Sequence, residues 1–401
     1  MRGKWLILGL MWVMMLVAYF DRINLSVAGP TIMAALHMSK TQFGLALSAF
    51  TLGYALMQIP GGYLADKFGS KPLLVTALVI WSAFTALTGM VTSLLSLQIV
   101  RVLFGVGEGI ENGAQFKLVG DNFTSGERSQ ANALFLTALA LGPAIGTPLT
   151  TSLLARFGWR ELFFWFAGIG LAVAALLALL LPKDKGEAHA PSTPAPVKLR
   201  PPRRLKSVWL CAFSYLLFNM AFWGFLSWVP TYLTSERHVT LSKMGLLGAV
   251  PYLCGLAGML LFGRLGSMPR VSGGKALGLG FGLLGAAAFL LDAPKVQSVA
   301  ACVFCLSGAA FFLFAFFGPF WSIAIDLAPG HRRGAFTGFI NFMGQIGGFT
   351  AQIVIGLLAD TMKSFVGAFL FMSAALLVGF ACLARLSAAM PELLAADETL
   401  G

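Results

Sequence analysis

Four ionisable residues stand deep in long hydrophobic runs of this sequence: Asp21, Arg22, Arg101 and Glu108, with Glu111 a fifth at the edge of such a run. A charge in hydrocarbon costs about 2.5–3.5 kcal/mol or more, so groups of this kind face a polar cavity and have partners. Two arginines projecting into one cavity suit a carboxylate, because each guanidinium offers a rigid two-pronged fork and keeps its charge. Asp21 and Glu108 are acids that can take up and release protons where their surroundings permit. Arg101 and Glu108 are seven residues apart, which on an α-helix puts them on one face, about 10 Å apart along the axis. A structural network tying two helices together would need fewer charges than these. The second half of the chain has almost no ionisable residue deep in an apolar run. The pattern predicts ionic chemistry in the first half and a second half that shapes a pocket.

The elements that must position these residues are membrane spans. The chain has 401 residues, 58% hydrophobic and only 11% charged, against about 25% charged in soluble proteins. A span needs about 20 apolar residues, so this length fits twelve and leaves little for a soluble catalytic domain. The apolar runs read as spans over 5–29, 43–65, 72–92, 94–117, 130–154, 162–181, 208–233, 242–264, 274–291, 296–325, 334–358 and 365–386. The first holds Asp21 and Arg22 and no small-residue cleavage site, and reads as a retained span rather than a signal peptide. The net charge of +12 has a topological explanation, so no nucleic-acid partner is expected. With the N-terminus inside, inner segments hold 19 of the 28 Lys and Arg residues and outer segments hold 7. Both termini are therefore expected in the cytoplasm of a multi-pass cell-membrane protein, the inner membrane if the source is Gram-negative.

Residues 182–207 form the one long connection, rich in proline and basic residues. It reads as a cytoplasmic linker between a first six-span half (1–181) and a second (208–386), with a cytoplasmic tail at 387–401. The halves read as repeats. An offset of 201 pairs His37 with His238, Gly44 with Gly245, Gly62 with Gly263 and Leu64 with Leu265; an offset of 205 pairs Asp121 with Asp326, Arg128 with Arg333 and Gly142 with Gly347. The five cysteines, Cys211, Cys254, Cys302, Cys305 and Cys382, all lie in apolar stretches. Their odd number and context argue against a disulfide framework, and the C-x-x-C at Cys302 and Cys305 lacks the second pair that a metal site needs. No metal cluster, nucleophile elbow or P-loop is present, so neither an enzyme nor a cofactor is expected.

A parallel six-plus-six repeat is the arrangement of major facilitator transporters, which places a site near the membrane midplane. The stretch Gly62-Tyr63-Leu64-Ala65-Asp66-Lys67-Phe68-Gly69-Ser70-Lys71 resembles the signature of that superfamily in the loop after span two. Gly62 permits close helix approach, and Asp66 can accept hydrogen bonds from a helix N-terminus or a basic side chain in one state of the cycle. With Lys67, Gly69 and Lys71 it reads as a conformational latch. Its counterpart, Gly263-Arg264-Leu265-Gly266-Ser267, lacks the acid.

Tyr19-Phe20-Asp21-Arg22-Ile23-Asn24 looks like the span-one signature of the anion:cation symporter family, a branch of the major facilitators with bacterial sugar-acid symporters and animal sialic acid and vesicular glutamate transporters. Ser48-Ala49-Phe50 with Gly53-Tyr54 is similar to its second span, and Arg101-Val102-Leu103-Phe104-Gly105-Val106-Gly107-Glu108-Gly109 to its fourth. Gly318-Pro319-Phe320-Trp321-Ser322 and Asn341 resemble its tenth and eleventh. The resemblance implies an all-α fold of twelve transmembrane helices. It also implies substrate binding by Arg22 and Arg101, proton coupling through Asp21 and Glu108, a pocket tyrosine at Tyr54, and further contacts from Trp321, Ser322 and Asn341. The sequence departs from the family after Gly109, where Ile110-Glu111-Asn112-Gly113-Ala114-Gln115 adds an acid and amides in place of a proline-type kink. In span five no glutamine stands out as a ligand, and Asn132 and Thr137 are the nearest polar residues. The function expected is proton-coupled uptake of a small organic anion such as a sugar acid, by a monomer in the lipid bilayer. The alternative is proton-driven efflux of a drug or metabolite, which would more naturally present acids without arginine partners.

Overall fold

The computed structural model describes residues 2–182, 202–266, 275–327 and 333–398. The side chains of Gly62, Asp66 and Asn112 lie outside that description, as does most of the expected linker. The helices of the described chain are α1 (Arg2–Ala35), α2 (Lys40–Phe68), α3 (Ser70–Thr88), α4 (Leu94–Gly109), α5 (Glu111–Asn122), α6 (Ser125–Leu136), α7 (Ala138–Phe157) and α8 (Trp159–Leu180). They continue with α9 (Pro202–Ser235), α10 (Leu241–Leu247), α11 (Val250–Gly266), α12 (Lys275–Asp292), α13 (Val299–Ala315), α14 (Phe317–Leu327), α15 (Arg333–Thr361) and α16 (Val366–Glu398). Among the described residues there is no strand.

Four expected spans are not single helices. The runs over 94–117, 130–154, 242–264 and 296–325 break at Ile110, Thr137, Gly248–Ala249 and Phe316. The dihedrals at Ile110 (−67°, −30°), Thr137 (−60°, −25°), Gly248 (−72°, −22°) and Phe316 (−65°, −38°) stay in the right-handed helical region. The chain therefore keeps its direction, and the sixteen helices run as twelve rods. The causes are local. Pro251 and Pro319 lack the N–H that would bond the last carbonyls of α10 and α13, Leu247 and Ala315. The Thr137 hydroxyl donates to Leu134 O at 2.6 Å, competing with the backbone ladder. Ile110 sits in a glycine-rich stretch, with Gly107, Gly109 and Gly113 around it. True reversals look different: Gly69 and Gly158 have φ of 85° and 87°, a left-handed backbone open to glycine without strain. Nine helices among the described residues are long and apolar enough to cross a membrane, and Ala276–Asp292 is a shorter apolar one.

The internal repeat is visible in the backbone. His37 and His238, paired by the 201-residue offset, have φ of 51° and 52°. Each follows a helix of 34 residues that carries a proline near its end, Pro30 in α1 and Pro230 in α9. Gly142 and Gly347, paired by the second offset, also correspond: a Cβ at Gly142 would overlap Tyr19 of α1, and one at Gly347 would overlap Leu216 of α9.

Contacts group the chain into two units, Met1–Pro194 with Pro230–Ala249, and Ala195–Val229 with Val250–Gly401. In the first unit α2 and α4 meet backbone to backbone. A Cβ at Gly53 would overlap Val102 O, one at Gly105 would overlap Phe50 O, and one at Gly109 would come within 2.6 Å of Tyr54 O. Such approach is how helices associate where no water drives them together. Gly105→Ala is therefore expected to destabilise the unit by about 1–3 kcal/mol, the usual range for overpacking. Gly168, whose Cβ would meet nothing within 4 Å, is the control: Gly168→Ala should leave the melting temperature in detergent unchanged or slightly raised.

One end of this unit is tied by polar contacts. Lys4 Nζ donates to Glu127 Oε1 at 2.6 Å, which holds the Glu127 carboxyl below its ordinary range. Lys117 Nζ donates to Ala65 O at 3.2 Å, and Lys71 Nζ to Leu181 O. Both lysines thus meet carbonyls at helix C-terminal ends, where cations are favoured.

Candidate functional site

The α2–α4 contact sets aromatic rings of one helix against charges of the other. Arg22 projects from α1, where Gly146 of α7 packs on the neighbouring Ile23. Its Nε donates to Glu108 Oε1 of α4 at 2.7 Å, and its Nη2 reaches the same oxygen. The guanidinium carbon lies 4.6 Å from the Tyr19 ring centre, 5.1 Å from Tyr54 and 5.2 Å from Phe50. Arg101 is 4.5 Å from the Phe104 ring and 5.1 Å from Phe50. Phe50 therefore serves both arginines, and cation–ring contacts of this length strengthen when water is absent.

The two arginines differ in one respect that the sequence did not show. Arg22 is held by Glu108. Arg101, buried at 3% exposure, forms no ion pair or hydrogen bond with any described residue, and its Nε has no partner. On the acid side, Glu108 Oε2 is fully buried and also lacks a partner. Asp21, 1% exposed, accepts from Asn24 Nδ2 at 3.3 Å through Oδ1, while its Oδ2 has no partner. Asp21 lies within electrostatic range of both Glu108 and Arg101. Asp21, Arg22, Tyr54, Arg101 and Glu108 thus form one buried cluster.

Glu111 extends it. This acid opens α5 at 1% exposure, and its Oε2 accepts from Gln115 Nε2 at 3.2 Å. Thr137 of the fifth rod is already engaged, accepting from Trp12 Nε1 at 2.9 Å while donating to Leu134 O.

In the second unit, Trp321 packs edge-on against Tyr215 and Phe320, with ring centres 5.3 and 5.7 Å away. Tyr215 stacks on Phe320 at 4.7 Å. Ser322 follows Trp321 on α14, and Asn341 stands on α15; all three are half-buried. Gln345, one turn beyond Asn341, is buried with Oε1 unpartnered. Of the latch residues, Gly69 makes the left-handed turn between α2 and α3, Lys71 caps α8 and Lys67 is exposed over Phe68. The Gly62 and Asp66 side chains fall outside the description. The five cysteines are free thiols.

Sequence reasoning passed over Tyr19, Phe50 and Phe104 as parts of the charge site. A signal existed for two of them: Tyr19 precedes Arg22 by three residues and Phe104 follows Arg101 by three, the spacing at which helix side chains meet. For Phe50, which reaches across helices, there was none.

Comparison with known proteins adds three observations. The profile of the Major Facilitator Superfamily matches residues 11–352. A probable sulfoacetate transporter of Cupriavidus necator is 32% identical over 94% of this chain and 92% of its own. A hexuronate transporter of Bacillus subtilis is 28% identical, covering 88% and 87%, and a probable L-galactonate transporter of Escherichia coli is 30% identical, covering 87% and 82%. Among solved structures, a bacterial homologue of the human lysosomal transporter Spinster matches with a TM-score of 0.75 over 97% of this chain and 96% of that one. At 17% identity this likeness concerns the fold.

Proposed function

The chain belongs to the Major Facilitator Superfamily and is a multi-pass membrane transporter, and from that premise we propose that it takes up a small organic anion, a carboxylate such as a sugar acid, together with protons. The observation that carries this reading is Arg101, a buried guanidinium with no ion pair or hydrogen bond among the described residues, beside a second arginine held by an acid. An unpaired buried charge is costly, and a substrate carboxylate is the partner that relieves it. The relatives are named as a probable sulfoacetate, a hexuronate and a probable L-galactonate transporter, and all three named substrates are organic anions.

In the proposed cycle both termini are cytoplasmic, and the anion first meets Arg101. Protonation of Glu108 loosens its hold on Arg22, which then turns its fork to the substrate. Tyr19, Phe50 and Tyr54 keep the freed guanidinium in place. Asp21 is a second protonation site, near Arg101. Trp321, Ser322 and Asn341 are assigned further substrate contacts on the family resemblance. Proton and anion binding are coupled at Arg22, which takes one negative partner at a time, the Glu108 carboxylate or the substrate, and gains little from a second.

The test uses purified protein in liposomes with the outside made acid, and radiolabelled glucuronate, galactonate and sulfoacetate as probes. Gradient-driven accumulation of at least one, abolished by a protonophore, is expected. Proton-driven efflux instead, or no exchange of any of the three, overturns the reading.

Asp66 is proposed as the latch, with no part in substrate binding. Asp66→Asn should lower the uptake rate several-fold, while equilibrium affinity moves only as far as a shift between states allows. Direct, state-independent protection by substrate of a cysteine placed at 66 would refute this.

A further inference from the structure

We propose that Glu111 is a second proton-carrying group, which takes the proton that Glu108 gives up as Glu108 closes on Arg22 and passes it toward the inner side; this rests on the proton-symport reading above. A bland explanation for an acid at this position is the favourable field at a helix N-terminus. It fails here, because the helical dihedrals of Ile110 make α5 a continuation of α4 rather than a fresh start. What remains is a carboxylate at 1% exposure with one amide on it, Gln115 Nε2.

The groups around Glu111 define what it can exchange with. α1, α2, α3, α4 and α6 all pack against α5. Among the described residues the charges that act on Glu111 are Glu108 of α4 and Arg22 of α1. Lys71 of α3 is committed to Leu181 O, Lys67 of α2 is exposed, and Glu127 of α6 is committed to Lys4. Locally, then, two acids stand beside one arginine. The wider cluster has three buried acids, Asp21, Glu108 and Glu111, against two buried arginines, Arg22 and Arg101. An excess of buried carboxylate charge is disfavoured, so one proton stays in the set when the carrier is empty.

The geometry also names the atom that lets go. Arg22 holds only Oε1 of Glu108, while Oε2 is buried without a partner. A proton on Oε2 can leave without disturbing the forming ion pair. The O–H bond at Glu108 Oε2 breaks, an O–H bond forms on the Glu111 carboxylate, and the total charge of the set is unchanged. Glu111 then gives its proton to water on the inner side, which resets it for the next turn. Glu111 lies three residues beyond Glu108 along the rod, which is the inward direction if the N-terminus is inside.

The experiment compares wild type with Glu111→Gln and Glu111→Asp in proteoliposomes with radiolabelled glucuronate. Counterflow, which needs no proton release, is measured beside uptake driven by an acid-outside gradient at several internal pH values. Glu111→Gln should keep counterflow and the KM for the anion, yet lose about tenfold or more of the gradient-driven rate. A positioned proton-transfer group is ordinarily worth about 10²-fold or more, but bundle motion limits the wild-type rate. Glu111→Asp should restore most of the loss. Wild-type uptake with an unchanged internal-pH profile in Glu111→Gln overturns the proposal, as does an equal loss of counterflow and uptake in both variants. Absence of gradient-driven accumulation by wild type would instead sink proton symport itself.

Discussion

Arg101→Lys is expected to weaken binding of the substrate anion by about 10- to 100-fold while the protein stays folded. Lysine keeps the positive charge but replaces a planar fork with a point charge. The loss is that of a charge-assisted hydrogen bond, about 1.5–3 kcal/mol. Arg101 is the right residue for this test because it has no ion pair to break among the described residues. Arg22→Gln would strip Glu108 of its one hydrogen-bonding partner among the described residues, and leaving one buried charge alone costs about 3–5 kcal/mol, so binding and folding effects would mix. The measurement is equilibrium binding of the labelled anion, with the melting temperature recorded in parallel. Wild-type affinity in Arg101→Lys and in Arg101→Gln means that the carboxylate sits elsewhere.

The second large effect belongs to Glu108→Gln. Glutamine mimics the protonated acid and cannot release a proton. Arg22 then keeps a neutral oxygen as neighbour and is permanently available to the substrate. Binding and counterflow should persist, and affinity should no longer fall as the pH is raised. Uphill uptake driven by a pH gradient should be abolished. Asp21→Asn is the comparison, since Asp21 lies near Arg101 and has an amide, Asn24, on one oxygen. Accumulation by Glu108→Gln at the wild-type level would mean that the proton travels by Asp21 or another route.

Much of this arrangement is legible in the sequence. Charge in an apolar run is expensive wherever it falls, so Asp21, Arg22, Arg101 and Glu108 announced themselves by type and setting alone. The repeat was legible because each half solves the same turn in the same way, down to the left-handed histidines at 37 and 238. Two things were hidden. Helix periodicity gives the face on which a residue lies but not which oxygen meets which nitrogen across a gap, so the pairing of Arg22 and the solitude of Arg101 needed three dimensions. The breaks at Ile110, Thr137, Gly248–Ala249 and Phe316 were invisible for another reason. They bend hydrogen bonding without interrupting hydrophobicity, and hydrophobicity is what locates a span.

The one-oxygen grip of Arg22 on Glu108 has a kinetic consequence. A guanidinium engaged fork to fork must break two bonds on two oxygens before it can turn. Here both nitrogens converge on Oε1, so the pair with Glu108 opens at a single oxygen. Rotamer flips of exposed side chains take picoseconds to nanoseconds, and an ion-pair cost of about 3–5 kcal/mol slows a buried one by about 10²- to 10⁴-fold, whereas rearrangements of whole bundles take microseconds to milliseconds. In the proposed cycle the ionic exchange is thus a fast pre-equilibrium that the helices sample many times per turnover. Turnover should then respond to the thickness and stiffness of the surrounding lipid and show little sensitivity to replacing water by deuterium oxide.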